Sequence, residues 1–334
     1  MTRFAVFDTK PYDRASFSPL ALGADIELKY HEFRLDSETV ELVHDTVAVC
    51  AFVNDDLSAP IVARLARSGV QLIAMRCSGF NNVDLDACRE HGIDVVRVPA
   101  YSPHAVAEHA VALLLALNRR IVRANNRVRE MNFSLNGLVG WDLYGKTAGI
   151  IGTGKIGQVT AGILRGFGME VLAYDPYPNE AWATANGVTY VSLAELSERS
   201  DVISLHTPLT PETLHIVDAD MLAGVKKGVY IINVSRGALV DAKALIKAVK
   251  KGRVGGVALD VYEEEEGVFF EDHSHQIMQD DTLARLLTFP NVLITSHQAF
   301  LTQEALADIG YCTVENLRRF RSGEPFLEGT VLVG

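Results

Sequence analysis

The feature that most restricts this chain is the junction Thr147-Ala-Gly-Ile-Ile-Gly152-Thr-Gly154-Lys155-Ile156-Gly157. An apolar run of strand length ends in G-x-G-x-x-G and passes directly into a helical pattern. Gly152 permits the tight turn, Gly154 lets the backbone approach a pyrophosphate, and Gly157 lets helix and strand pack closely. The helix N-terminus, with Lys155 and Ile156, then offers unpaired N–H groups to an anion. A second apolar run ends in Val171-Leu-Ala-Tyr-Asp175, at about the 20-residue spacing where an acid accepts hydrogen bonds from the adenosine ribose hydroxyls. No Arg or Lys follows in Pro176-Tyr177-Pro178-Asn179 to receive a 2′-phosphate, so the expected cofactor is NAD.

Around this junction, short apolar runs alternate with longer helical patterns, the signature of parallel βαβ units with helices on both sheet faces. Strands are expected at 4–7, 47–53, 71–75 and 94–98, then at 147–151, 170–174, 188–191, 201–205, 229–233, 256–259 and 292–295. Val98-Pro99-Ala100-Tyr101-Ser102-Pro103 reads as a crossover, with a Ser N-cap and Pro at the first helical position. One amphipathic helix is expected from His104 to about Arg129, on the spacing of Val106, Ala110, Leu113, Leu114, Leu117 and Ile121. Another covers Glu304 to Phe320 and returns to the first domain. The expectation is an α/β protein with two doubly wound parallel-sheet domains and a cleft between them: 1–101 with 299–334, and 102–298.

Composition narrows the function. A net charge of −11 without any basic block argues against nucleic acid or an anionic membrane surface as partner. Cys50, Cys77, Cys88 and Cys312 have neither CxxC spacing nor a His cluster, so no metal site or disulfide framework is expected and a reducing cytoplasm fits. The apolar run from Ala110 to Leu117 is too short to span a bilayer.

Three further strand ends carry polar groups that an apolar sheet does not need: Arg236 in Asn233-Val-Ser-Arg-Gly237, Glu265 after Leu259-Asp260-Val-Tyr-Glu-Glu-Glu265, and His297 in Ile294-Thr-Ser-His-Gln298. Ligands of open parallel sheets bind beyond the carboxyl ends of the strands, so all three are expected at one site. Removing hydride from a secondary alcohol needs a base for the hydroxyl proton and an anchor for a carboxylate. Imidazole suits the first task and the planar guanidinium fork the second, while a carboxylate at Glu265 would favour the imidazolium of His297.

These motifs resemble the D-isomer-specific 2-hydroxyacid dehydrogenase family over essentially the whole chain. The resemblance implies a flavodoxin-like substrate domain built from both termini, a Rossmann NAD-binding domain, a homodimer, and Arg236, Glu265 and His297 as the catalytic set. It also implies cofactor contacts at Gly152, Gly154, Gly157, Asp175, His206, Thr207, Pro208, Val234, Ser235 and Asp260. Several stretches resemble the fermentative D-lactate dehydrogenase branch: Phe7-Asp8-Thr9-Lys10-Pro11-Tyr12-Asp13, Arg76 to Asp84, Tyr101-Ser102-Pro103 and His297 to Thr302. In that branch the backbone at Ser78 and Gly79 receives the substrate carboxylate, while Tyr101 and Phe300 shape a small pocket. The implied reaction is reduction of pyruvate to D-lactate and its reverse. A broader dehydrogenase for longer or aromatic 2-oxo acids is the alternative, and an NAD-sensing binding protein like the C-terminal-binding corepressors is the alternative of another class.

Overall fold

The structure, a computed structural model, describes residues 3–24 and 26–334. The chain divides into two compact units, Met1–Ser102 with Leu301–Gly334, and Pro103–Phe300. In the first unit the strands are β1 (Arg3–Val6), β2 (Glu27–Tyr30), β3 (Ala48–Ala51), β4 (Leu72–Met75) and β5 (Asp94–Arg97). β3 and β4 are buried at every position, as expected for strands covered by helices on both faces. The parallel order β2-β1-β3-β4-β5 is the flavodoxin-like winding.

The second unit holds β6 (Thr147–Ile151), β7 (Glu170–Tyr174), β8 (Val188–Tyr190), β9 (Val202–Leu205), β10 (Val229–Asn233), β11 (Val254–Leu259) and β12 (Val292–Ile294). Their order is β12-β11-β10-β9-β6-β7-β8, with every pairing parallel. The first six strands of the unit thus follow the Rossmann order, with β12 added at one edge. Because all seven run the same way, their carboxyl ends form a single row of loops. The core beneath is aliphatic, with Ile151, Ile203, Leu205, Ile231, Val257 and Leu259 almost completely buried.

Two strands were not anticipated, and one expectation needs correction. The sheet of the first unit is not wholly parallel: β13 (Val331–Val333) adds an antiparallel edge on β5. The segment β2, Glu-Leu-Lys-Tyr, was not anticipated; it is a partly exposed edge strand and carries no apolar run. The helix expected from His104 to Arg129 is two helices, Pro103–Asn118 and Ile121–Arg129, separated at Arg120 by a left-handed φ of 54°. The buried side chain of Asn118 causes this break: it exchanges hydrogen bonds with the backbone of Trp141, at 2.7 and 3.1 Å, and so fixes where the chain leaves the core. The second helix has no buried residue, and Ile121 is exposed.

Candidate active site

The glycine loop follows from close backbone approach. Gly152 has φ of 93°, and a Cβ there would stand 2.7 Å from the carbonyl of His206. A Cβ on Gly157 would lie 2.0 Å from the carbonyl oxygen of Gly152. At Gly154 a Cβ would meet nothing within 4 Å, so that position is open toward a ligand. Helix Lys155–Gly166 begins at Gly154 without a side-chain cap. Helices Glu180–Asn186, Leu193–Arg199, Ala219–Gly224, Ala242–Lys250 and Asp281–Leu287 are instead capped by Asn179, Ser192, Asp218, Asp241 and Asp280. The glycine-loop helix thus leaves its N-terminal N–H groups for an anion, which is what a pyrophosphate requires.

Asp175 stands just past β7. One oxygen accepts from the N–H and hydroxyl of Thr153, at 2.7 and 3.0 Å, and the other from Tyr177 N–H at 2.9 Å. Thr153, which sequence reasoning passed over, therefore ties the acid to the glycine turn, and its own hydroxyl lies 2.7 Å from that of Tyr190. Past β9, burial pushes the His206 imidazole down to about 3, so the ring is neutral. Its Nε2 lies 2.8 Å from Ser204 Oγ, and its buried Nδ1 has no partner among the described residues. Thr207 is buried and its carbonyl accepts from Ser235 Oγ at 2.6 Å, whereas Pro208 is exposed. Val234 is buried beside Ser235.

Past β10, Arg236 donates Nη1 to the carbonyl of Ser235 at 2.8 Å and faces no carboxylate among the described residues. Asn233 shapes this loop by accepting Ser235 N–H and donating to the Arg236 carbonyl. The next residue, Gly237, touches the following loop: a Cβ there would stand 2.0 Å from the Tyr262 carbonyl. Only glycine lets the loop that bears Arg236 lie so close to the one that bears Glu265.

Past β11 and β12 lies the His297 pair. His297 Nδ1 is 2.7 Å from Glu265 Oε1, and the other Glu265 oxygen accepts Tyr262 N–H at 2.9 Å. Both side chains are about one-fifth exposed, and Phe270 lies beside the imidazole with ring centroids 5.7 Å apart. With Nδ1 bonded to the carboxylate, Nε2 is the nitrogen left for a substrate. His297 has a left-handed φ of 49°, a conformation that costs a non-glycine residue about 1–3 kcal/mol and needs support from its surroundings.

That support is Asp260. It is wholly buried, and its carboxylate accepts from Thr295 Oγ1 (2.5 Å), Gln298 N–H (2.9 Å) and Ala299 N–H (2.9 Å). Burial alone would raise its pKa, but hydrogen bonds from His109, Thr295, Ala299 and Gln298 outweigh it and hold the carboxyl below its ordinary value. Asp260 therefore holds the loop around His297.

Along the second unit the strand ends bring Asp175, the glycines, His206, Arg236, Glu265 and His297 into one row, in the order β7, β6, β9, β10, β11, β12. Phe300, buried, closes that unit. Ser78, Gly79 and Tyr101 belong to the other unit. Past β4, the Ser78 carbonyl accepts Arg97 Nη1 at 2.8 Å, and the Gly79 carbonyl lies 3.2 Å from Cys77 Sγ. Arg97, stacked 5.0 Å over the Phe80 ring, is a second residue that sequence reasoning missed. Among the described residues, no helix is long and apolar enough to cross a membrane.

Residues 111–299 match the model of the D-isomer specific 2-hydroxyacid dehydrogenase NAD binding domain. The chain is 51% identical over 322 residues to D-lactate dehydrogenase of Escherichia coli K12, covering 96% of this chain and 98% of that one. It is similar to the solved structure of the pyruvate reductase of Chlamydomonas reinhardtii, with TM-score 0.92, 44% identity and 98% of each chain covered. It is also similar to Aquifex aeolicus D-lactate dehydrogenase in complex with NAD and lactic acid, with TM-score 0.87, 34% identity and 99% of each chain covered.

Proposed function

Because the chain belongs to the D-isomer-specific 2-hydroxyacid dehydrogenase family, we propose that it uses NAD to interconvert pyruvate and D-lactate, with Arg236, Glu265 and His297 as its catalytic set. The observation that carries this reading is a guanidinium that, among the described residues, pairs with no carboxylate, and an imidazole whose Nδ1 is held by Glu265 and whose Nε2 is left for a substrate, on the loops that follow the neighbouring strands β10, β11 and β12 of one sheet. Bound at Gly154 and the N-terminus of helix Lys155–Gly166, with its ribose on Asp175, NAD supplies the hydride acceptor or donor.

Arg236 anchors the carboxylate of the 2-oxo acid and polarises its carbonyl. His297 Nε2 gives a proton to the carbonyl oxygen during reduction and takes it back during oxidation. Glu265, bonded to Nδ1, keeps the ring aligned and leaves Nε2 to face the substrate. Ser78 and Gly79 offer backbone contacts to the substrate carboxylate, and Tyr101 and Phe300 limit the size of the side chain accepted. The buried, unbridged cysteines suit a reducing cytoplasm, and we expect the working form to be a homodimer.

The test compares pyruvate, 2-oxobutyrate, 2-oxoisocaproate, phenylpyruvate, hydroxypyruvate and glyoxylate by kcat/KM, following NADH consumption with NADPH as control. Highest kcat/KM for pyruvate, with D-lactate as product, is expected. Preference for a bulkier acid keeps the mechanism and overturns the substrate. NADH binding without turnover of any of them would favour the binding-protein reading.

A further inference from the structure

Helix Pro103–Asn118 buries an apolar row that includes Val106, Ala110, Leu113, Leu114 and Leu117. His109 lies beside that row, with its side chain about one-fifth exposed. Its Nε2 is 3.2 Å from Thr295 Oγ1 and 3.3 Å from Asp260 Oδ1. Thr295 has a single hydroxyl hydrogen, and it is donated to Asp260 Oδ1 at 2.5 Å. The Asp260 carboxylate has none to give. Nε2 must then carry a hydrogen, shared between the two oxygens, which fixes the tautomer of His109.

The chain of bonds continues to the reacting end of the unit. Asp260 accepts the N–H groups of Gln298 and Ala299 on its carboxylate, and its backbone carbonyl accepts the N–H of His297 at 2.7 Å. These bonds hold residues 297–299 in the turn where His297 takes its left-handed conformation. Thr295 and the Gln298 and Ala299 amides belong to the same stretch of chain as His297. Of the described side chains bonded to Asp260, His109 is the one that comes from a distant element.

We propose that His109 is a positioning residue: with Thr295 it fixes the Asp260 carboxylate, and so sets the direction in which His297 presents Nε2. The inference rests on the reading of His297 as the proton-transfer group. It assigns to helix Pro103–Asn118 a part in catalysis beyond core packing. A reacting group displaced by about 1 Å loses up to about 100-fold in rate, so a loosened turn should act on the chemical step rather than on cofactor affinity.

The experiment uses the full chain and the 2-oxo acid that the wild type reduces fastest. His109→Leu is expected to lower kcat about 10- to 100-fold while NADH affinity, measured by fluorescence titration, stays within about twofold. His109→Gln, whose amide N–H extends to the position of Nε2, should recover most of the rate; His109→Asn, one methylene shorter, should not. Thr295→Val combined with His109→Leu should cost no more than the worse single change, since both act through Asp260. Wild-type kcat in His109→Leu overturns the proposal. So does equal loss in the Gln and Leu variants, or multiplying losses in the double variant. Should the Leu variant fail to fold, the contrast between Gln and Asn decides, and equal rates in those two overturn it. An inert wild type, or a His297→Gln variant with full turnover, instead sinks the dehydrogenase reading, and this inference with it.

Discussion

Arg76 and Arg236 stand at equivalent places, each just beyond a parallel strand, β4 in the first unit and β10 in the second. Arg76 is 2% exposed, donates to the Asp8 carbonyl at 2.7 Å, lies 3.4 Å from an Asp13 oxygen, and sits 4.6 Å over the Phe52 ring. Burial works against its charge, but Asp13, Asp55 and Asp8 around it raise its pKa above the ordinary value. Nearby, Asp55 is pushed by burial up to about 6 even though it accepts the N–H groups of Leu35 and Phe52. Among the described residues, Arg236 bonds only to a neighbouring carbonyl. A charge that is buried among fixed partners specifies a loop; a charge at a sheet edge with its fork uncommitted has affinity left for a ligand. Arg76 is consumed by the fold of the first unit, and Arg236 in the second is held ready.

The largest expected effect tests the second half of that contrast. His297→Gln should lower kcat by about 10²–10⁴-fold, the range for loss of a positioned proton donor, with NADH affinity nearly intact and little change in melting temperature. Steady-state kinetics with a fluorescence titration checks it, and normal turnover would remove His297 from the proton-transfer role.

The two arginines can then be set against each other. Arg236→Met should lower kcat/KM by about 10²–10³-fold and leave unfolding by urea unchanged, because it gives up a ligand contact and no protein ion pair. Arg76→Met should do the reverse in kind, costing about 3–5 kcal/mol of stability by leaving the acids around it buried without their cation. If Arg76→Met melts like the wild type, the buried cluster is not the structural anchor that its geometry indicates.

A smaller effect is expected at Asp175. Asp175→Ala should weaken NADH binding about 10-fold, the worth of a charge-assisted hydrogen bond, and weaken NADPH binding much less, since the repelled 2′-phosphate loses its opponent. Calorimetric titration with both cofactors decides. Equal losses would reduce Asp175 to its bonds with Thr153 and Tyr177, a purely local tie of the glycine turn.

What could be read from the chain follows how local each signal is. The strand-glycine-helix junction, the buried parallel strands and the polar strand ends each lie within a short window, and Glu265 beside His297 follows from neighbouring strand ends once the sheet order is known. Long-range polar ties left no such trace. Asn118 bonding Trp141 broke a helix whose apolar period runs on in the sequence to Ile121, Asp260 turned inward to hold residues 297–299, and His109 meets Thr295 across 186 positions. β2 escaped because an edge strand needs no apolar run, and β13 because its three residues acquire meaning only beside β5.

The smallest expected effect concerns His206, where the second unit behaves like the first in burying a titratable group. Burial holds its folded pKa near 3, against an ordinary value of 6.5 in the unfolded chain. The unfolded state therefore takes up a proton that the folded state refuses. This contribution to stability is complete above about pH 6.5 and is lost progressively as the pH falls from there toward 3. Between pH 7 and 5 the loss should be about 1 kcal/mol, since the ring remains partly exposed and solvent screens part of the penalty. His206→Gln, which keeps a polar group near Ser204 but cannot titrate, should lose correspondingly less over the same interval. Urea unfolding of both proteins at the two pH values measures the difference, and parallel losses would mean that the His206 ring accepts its proton in the folded state.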